Sequence, residues 1–460
     1  MRKFLAIFAS LVLVLGFAAS AFAIQAEIPS ETQATVAKGT TQITLGGAIR
    51  VRGEVLQNTT DFDKNKSDYK AYYDQRVRLR LQADVTKNTM GVIHLESGDT
   101  SAKSDYTWGT ETGEGKGVYY NVGNGKQSSL HILEAWILHK GSGLLGIPAG
   151  IKVGHQPLRL GNGLFFDHSK FGDDAIVFFM DPTKELHIGL LTAKFSEGPS
   201  GTSKNDDANA YVGLLIYKPS KDTNIGFDVT YVDDQRSTGL GGIVTGNVSI
   251  PTHLWNFGLR GDTNVSGLGI KADIELQTGK IAYDKVTGGT ETKLKGYAYL
   301  LGLSYKLDPV KLSLDYAYGS GDKIDTANKN EGFITALSGL QNYTYVYDYR
   351  ASTSVATRST GLSNTWYVKL GGNADVTKDL NADLNIYYLR AAKKMSNTYD
   401  SKKIGTEVDA KLTYKIDKNL VYWVEGGYLF AGNLYKNFTT SATKNVDDAY
   451  AVRHGIELSF

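Results

Sequence analysis

Six arginines stand at alternate positions in three separated segments: Arg50 and Arg52, then Arg76, Arg78 and Arg80, and far downstream Arg453. A guanidinium stays charged at every accessible pH, and its planar donor fork fits carboxylate or phosphate bidentately. Spacing by two puts the arginines of one segment on a single face of an extended strand. Acidic residues share that parity: Glu54, Asp74, Glu96 and Glu457 close to the arginines, and Asp273, Glu275 and Asp409 farther along the chain. Two chemistries follow. Facing water, the arginines form a basic ladder that draws anions along in steps. Paired with their acidic neighbours, they stiffen a sheet and select nothing.

A second candidate is the stretch LRLGNGLFFDHSKFGDD at 158–174, rich in Gly, aromatic and charged residues. Lys170, Asp173 and Asp174 are its candidates for lining a constriction, with Phe165, Phe166 and Phe171 packing it to a wall. Other site chemistries do not emerge. DFDKNKSD at 61–68 alternates oxygen donors but lacks the glycine and the terminal acid of a calcium loop. The 8 histidines show no zinc spacing and there are no cysteines. No phosphate loop, nucleophile elbow or dinucleotide fingerprint stands in a credible context. No catalytic residue, metal ligand or cofactor is therefore expected, and the chain does not read as an enzyme.

The elements that carry these residues are strands of about ten residues with period-2 hydrophobicity. Val77, Leu79, Leu81, Ala83 and Val85 alternate with Arg76, Arg78, Arg80, Gln82 and Asp84, and the same holds at 43–55, 270–277 and 407–416. Near the end, Tyr450, Val452, Ile456, Leu458 and Phe460 alternate with Arg453, Gly455, Glu457 and Ser459. Apolar outside and polar inside is the pattern of a transmembrane barrel. Eighteen strands are predicted: 41–56, 71–86, 90–99, 129–140, 149–158, 174–182, 184–195, 208–218, 222–234, 249–263, 268–280, 291–307, 310–320, 363–376, 379–393, 404–416, 419–431 and 448–460. Weak alternation across 174–195 and 208–218 leaves 16 as the other count. Tight turns recur as ADVTKN (83–88), ADVTKD (374–379), IYKPSKD, SYKLDP and TYKIDKN. All fall on one side, read as periplasmic, while the long polar segments fall on the other. The expected fold is an all-β, antiparallel up-and-down transmembrane β-barrel over 41–460.

The N-terminus agrees. Arg2 and Lys3 precede an apolar run to Phe17, and Ala21 and Ala23 form an A-x-A site, so residues 1–23 read as a signal peptide. Residues 24–40 read as a mobile periplasmic lead-in. Formal net charge is +2, and Arg2 and Lys3 account for it, so nothing here favours nucleic acid. An exported chain without disulfides needs another constraint, and barrel closure supplies one by pairing every backbone donor and acceptor.

An Arg-x-Arg first strand, QRVRLRL in the second, ILEAWI at 132–137 and IKVGHQPLRLGNG at 151–163 come in this order. Together they resemble alginate-export porins of the bacterial outer membrane, the likeness lying mainly in residues 41–180. Where that family typically has Gly-Arg-Gln, this chain has Gly154-His155-Gln156. The resemblance implies an 18-stranded barrel with an arginine-rich conduit for acidic saccharide. The function expected is thus a Gram-negative porin for passive diffusion of hydrophilic, mainly anionic solutes. Its partners are outer-membrane lipid and small solutes, as monomer or trimer. A structural sheath around an export or electron-transfer partner is the alternative, with an outer-membrane hydrolase behind it.

Overall fold

In the computed structural model the residues described are 34–38, 41–98, 106–107, 129–143, 146–197, 207–235, 251–282, 290–336, 343–351, 361–394, 401–437 and 446–460, without 64, 67 and 324. The signal peptide expected over 1–23 lies outside them. Eighteen antiparallel staves close into a barrel: β1 (Thr41–Gln57), β2 (Lys70–Thr86), β3 (Thr89–Gly98), β4 (Ser129–Gly141), β5 (Ala149–Gln156) and β6 (Asp173–Met180). They continue as β7 (Leu186–Ser196), β8 (Ala208–Ser220), β9 (Thr223–Asp234), β10 (Thr252–Val265), β11 (Leu268–Ile281) and β12 (Tyr297–Leu307). The last are β13 (Val310–Gly319), β14 (Thr365–Thr377), β15 (Leu380–Ala391), β16 (Lys403–Asp417), β17 (Leu420–Ala431) and β18 (Ala449–Ser459). Each pairs with its sequence neighbour, and β1 pairs with β18 from Ala48↔Ser459 to Gln57↔Tyr450. The weakly alternating stretch holds four complete staves, β5 to β8, so the count is 18 and the 16-strand alternative falls away.

Burial is inverted relative to a water-soluble protein. On β12, Leu301, Leu303, Tyr305 and Leu307 are each about half exposed, whereas Asp273, Glu275 and Glu407 inside are at most 1% exposed. The apolar outer face meets lipid, and closure leaves no backbone edge within it. Six staves are joined to the next by two-residue turns, all at one end: 87–88, 221–222, 266–267, 308–309, 378–379 and 418–419. At 266–267 both residues have positive φ (52° and 85°), the backbone twist that favours a two-residue hairpin, and Gly267 adopts it without a Cβ clash.

Two departures from expectation matter for the site. Within the lead-in read as mobile over 24–40, Ala34–Lys38 is a strand paired to Thr41–Leu45, on the edge of β1 that β18 leaves uncovered. Furthermore, described residues of two long outer connections turn inward and pack inside the barrel. Phe165 and Phe166 from 157–172 and Phe333, Tyr345 and Tyr347 from 320–364 join one buried cluster with Phe62 and Tyr435. Room for them comes from small inward residues at the outer strand ends. Ala193, Ala210, Ala298, Ala317, Ala391, Ala449 and Ala451 are all at most 1% exposed beneath these loops. Long side chains at those positions would collide with the loops at interior packing density.

Candidate functional site: an inward-folded constriction beside the closing seam

The arginines of β1, β2 and β18 lie side by side, as their shared parity predicts, and most of them are paired. Arg52 donates to Asp74 from Nε at 2.8 Å and Nη2 at 2.7 Å, with both side chains buried. Arg76 reaches Glu457 at 3.3 Å, Arg78 pairs with Glu96, and Arg453 pairs with Glu425. Arg50 stands in register between Arg76 and Glu457. Arg80 hydrogen-bonds Gln82 at 3.0 Å rather than a carboxylate. Beside it, the ILEAWI segment places Glu134 to accept from Trp136 Nε1 at 2.8 Å and to meet His94 at 3.0 Å, with Lys152 4.0 Å over the Trp136 ring.

The acidic residues farther round the wall do different work. They anchor the two inward loops by their backbone amides. Asp273 accepts from both the backbone N–H and the side-chain amide of Asn162, at 3.1 and 3.0 Å. Glu407 accepts the N–H groups of Val346 and Tyr347, the latter at 2.9 Å, and Asp409 accepts that of Tyr345 at 3.0 Å. Glu275 lies beneath Asn256, which donates at 2.6 Å. A carboxylate that receives backbone donors in this way needs no cation to compensate its burial. On this side of the wall the inward carboxylates thus serve as loop anchors.

The two loops also hold each other. Ala336 N–H donates to Phe165 O at 2.8 Å, and His168 bridges Ala336 O at 2.9 Å and Asp173 at 2.8 Å. Asp173, named as a constriction candidate, is therefore a buried partner for His168. Asp174 is corrected outright: it points outward with a 76% exposed side chain, paired to His155 at 2.9 Å. Phe171 is 43% exposed and does not pack the loop to the wall as Phe165 and Phe166 do. Lys170 is exposed and faces the seam.

There, a group of residues that sequence reasoning missed completes the site. Arg350 pairs with Glu54, which also accepts from Tyr72 Oη at 2.6 Å and Tyr345 Oη at 3.2 Å. The Arg350 guanidinium lies 3.9 Å from the Tyr349 ring centre, and Arg453 Nη1 donates to Tyr349 Oη at 3.3 Å. Burial raises the Tyr349 phenol, yet Arg350, Arg453, Lys170 and Arg52 together pull it down to about 7. The signal available in the sequence was the run YTYVYDYR at 343–350, whose four tyrosines are out of place in a solvated loop.

Below the loops, on the far wall, a cavity of about 610 Å³ opens between β10 and β15, lined by Lys271, Ser304, Asp315, Lys369, Asn373 and Asp383 among others. Lys369 and Lys271 both pair with Asp315, at 2.6 and 3.3 Å. Among the described residues no group of acidic and histidine side chains is arranged to hold a metal ion.

Solved structures with the same architecture are outer-membrane proteins. OccK5 (OpdH) of Pseudomonas aeruginosa aligns over 90% of this chain and 98% of its own, at 11% identity and a TM-score of 0.54. OccK9 (OpdG) of the same organism aligns over 91% and 98%, at 11% identity and 0.55. OccAB4 of Acinetobacter baumannii aligns over 91% and 98%, at 12% identity and 0.54. At such identity the likeness is one of fold. No curated protein matches by sequence. The sequence profile of the alginate export family matches residues 41–447, nearly the whole barrel and both inward loops. This chain belongs to the alginate export family of outer-membrane β-barrels.

Proposed function

We propose that the protein is a passive channel for hydrophilic solutes with a preference for anions, acidic saccharides included, set at the constriction beside the seam. The observation that carries this reading is the convergence on Tyr349 of cations from four segments: Lys170, Arg350, Arg453 and Arg52. Three of them have carboxylate partners in Glu54, Glu425 and Asp74. Lys170 supplies the excess. A confined positive potential raises the local concentration of anions and repels cations. Arg50, Arg76, Arg78 and Arg80 continue the same wall below the loops, where pairing with Glu96 and Glu457 weakens but does not cancel their field. No covalent step enters.

Planar-bilayer recording across a salt gradient tests the reading. The purified protein should give ohmic conductance with a reversal potential on the anion-selective side. Lys170→Ala should move that potential toward zero. Changing Arg50, Arg76, Arg78 and Arg80 together to Ala should move it further. Absence of conductance would overturn the channel itself. Reversal potentials indifferent to all five changes would leave the channel and overturn its filter.

A further inference from the structure

On the outer face near the extracellular rim, cations of β7 and β11 have carboxylate partners. Lys194 meets Asp207 at 2.8 Å, and Lys280 meets Glu291 at 2.8 Å. One place differs. The two legs of the connection between β15 and β16 carry Arg390 and Lys393 on one side and Lys402 and Lys403 on the other. Arg390 shares the outward row of Ile386 and Tyr388, and a register shift at Ile404 and Gly405 brings the exposed Lys403 opposite it on the same face. Among the described residues neither has a carboxylate within ion-pair distance. Lys402 donates to a backbone carbonyl, Ala392 O, at 3.3 Å.

What lies directly beneath defines the ligand. Arg390 is in register with Trp366, its guanidinium 5.9 Å from the ring centre, and Tyr388 packs edge-on against Trp366 with centroids 5.8 Å apart. Below these rings the surface is wholly apolar: Val368, Leu370 and Ile386 are 38%, 57% and 41% exposed. Cations over an aromatic girdle over an aliphatic face match, in order, a phosphate, a sugar and acyl chains. A free anion would use only the uppermost layer.

We propose that the outer face of β14, β15 and β16 at the extracellular rim holds a phosphorylated glycolipid of the outer leaflet, with Arg390 and Lys403 on its phosphate. Trp366 and Tyr388 lie against the sugar, and the acyl chains run down Val368, Leu370 and Ile386. This site faces away from the lumen and does not depend on what the channel conducts.

Native mass spectrometry of the full barrel in detergent provides the test, with bisphosphorylated lipid A, its dephosphorylated form and inorganic phosphate as probes. Arg390→Ala with Lys403→Ala should weaken lipid A binding roughly 10- to 30-fold, about one surface-charge contribution for each residue. Arg390→Lys with Lys403→Arg should restore it. Lys218→Ala with Lys221→Ala, at the opposite rim, should leave it unchanged. Heat-modifiable gel mobility shows that each variant is folded. Equal binding of phosphorylated and dephosphorylated lipid, or no loss in the double variant, would overturn the proposal. Displacement of lipid A by inorganic phosphate at matched concentration would assign the cations to free anions and overturn the glycolipid.

Discussion

Replacing Glu407 and Asp409 together by Ala removes the acceptors for three backbone donors of the second inward loop: Tyr345, Val346 and Tyr347. Such hydrogen bonds contribute about 0.5–1.5 kcal/mol each to a neutral acceptor and about 1.5–3 to a charged one, so the change removes roughly 2–9 kcal/mol of anchoring. Burial of those same three side chains, each at most 5% exposed, contributes a second amount of similar size. Ordering the nine residues 343–351 costs at least about 1 kcal/mol per residue. Both contributions together hold the loop, and either alone falls short. The double variant should therefore release the loop from the lumen, whereas Asp409→Ala, losing one bond, should not. Single-channel conductance in planar bilayers should rise roughly twofold or more in the double variant, because the part of the lumen the loop fills is opened. Limited proteolysis of the assembled barrel should cut within 343–351 only there. If conductance and cleavage both match the unmodified protein, the carboxylates are not the anchors and the reasoning fails.

On the proposed filter, Tyr349 makes anion preference depend on pH. Its phenol is neutral below about 7 and a phenolate above, so raising pH from 6 to 8 adds one negative charge beside Lys170, Arg350 and Arg453. Reversal potentials should show weaker anion preference at pH 8 than at pH 6, and Tyr349→Phe should abolish the difference; a Tyr349→Phe channel with the same pH response would refute this. Arg52→Ala leaves Asp74, 2% exposed, without its guanidinium, and should destabilise the barrel by about 3–5 kcal/mol. A lowered midpoint in heat-modifiable gel mobility would register the loss, and an unchanged midpoint would contradict it. Gly47→Val should cost about 1–3 kcal/mol by the same measure, since a Cβ there stands 2.8 Å from the Arg78 carbonyl oxygen.

Strand number and boundaries were legible in the sequence because period-2 alternation is local. Every predicted stave was found, most within two residues of its predicted ends, and the shared inward face of Arg50 and Glu457 at the seam followed from parity, though their register did not. Alternation says which way a side chain points but not what covers it. Glu407 and Asp273 face inward as read, yet their partners, Val346 and Asn162, come from loops 61 and 111 residues away. Such contacts depend on where a long loop docks, which no local pattern encodes. The inward alanines were the missed clue. Ala298, Ala317, Ala449 and Ala451 break the polar inner face at the outer end of their strands, where something had to fill the space. Asp174 was misread because loop and strand meet there: once 173–180 is extended, parity sends Asp173 in and Asp174 out.

Phe460 and Gly47 exchange both backbone hydrogen bonds, at 2.7 and 2.9 Å, and a Cβ on Gly47 would stand 2.6 Å from the Phe460 ring. The ring fills the slot that the missing side chain leaves. On the same outer row of β1, the next positions in either direction are Leu45 and Ile49. A slip of two residues between β1 and β18 preserves every inside-outside preference, so hydrophobicity alone cannot forbid it. Sterics can, because the ring would meet a branched side chain at either alternative. The aromatic thus works as a key cut for one notch, fixing the barrel's shear and with it the height at which Arg453 faces Tyr349.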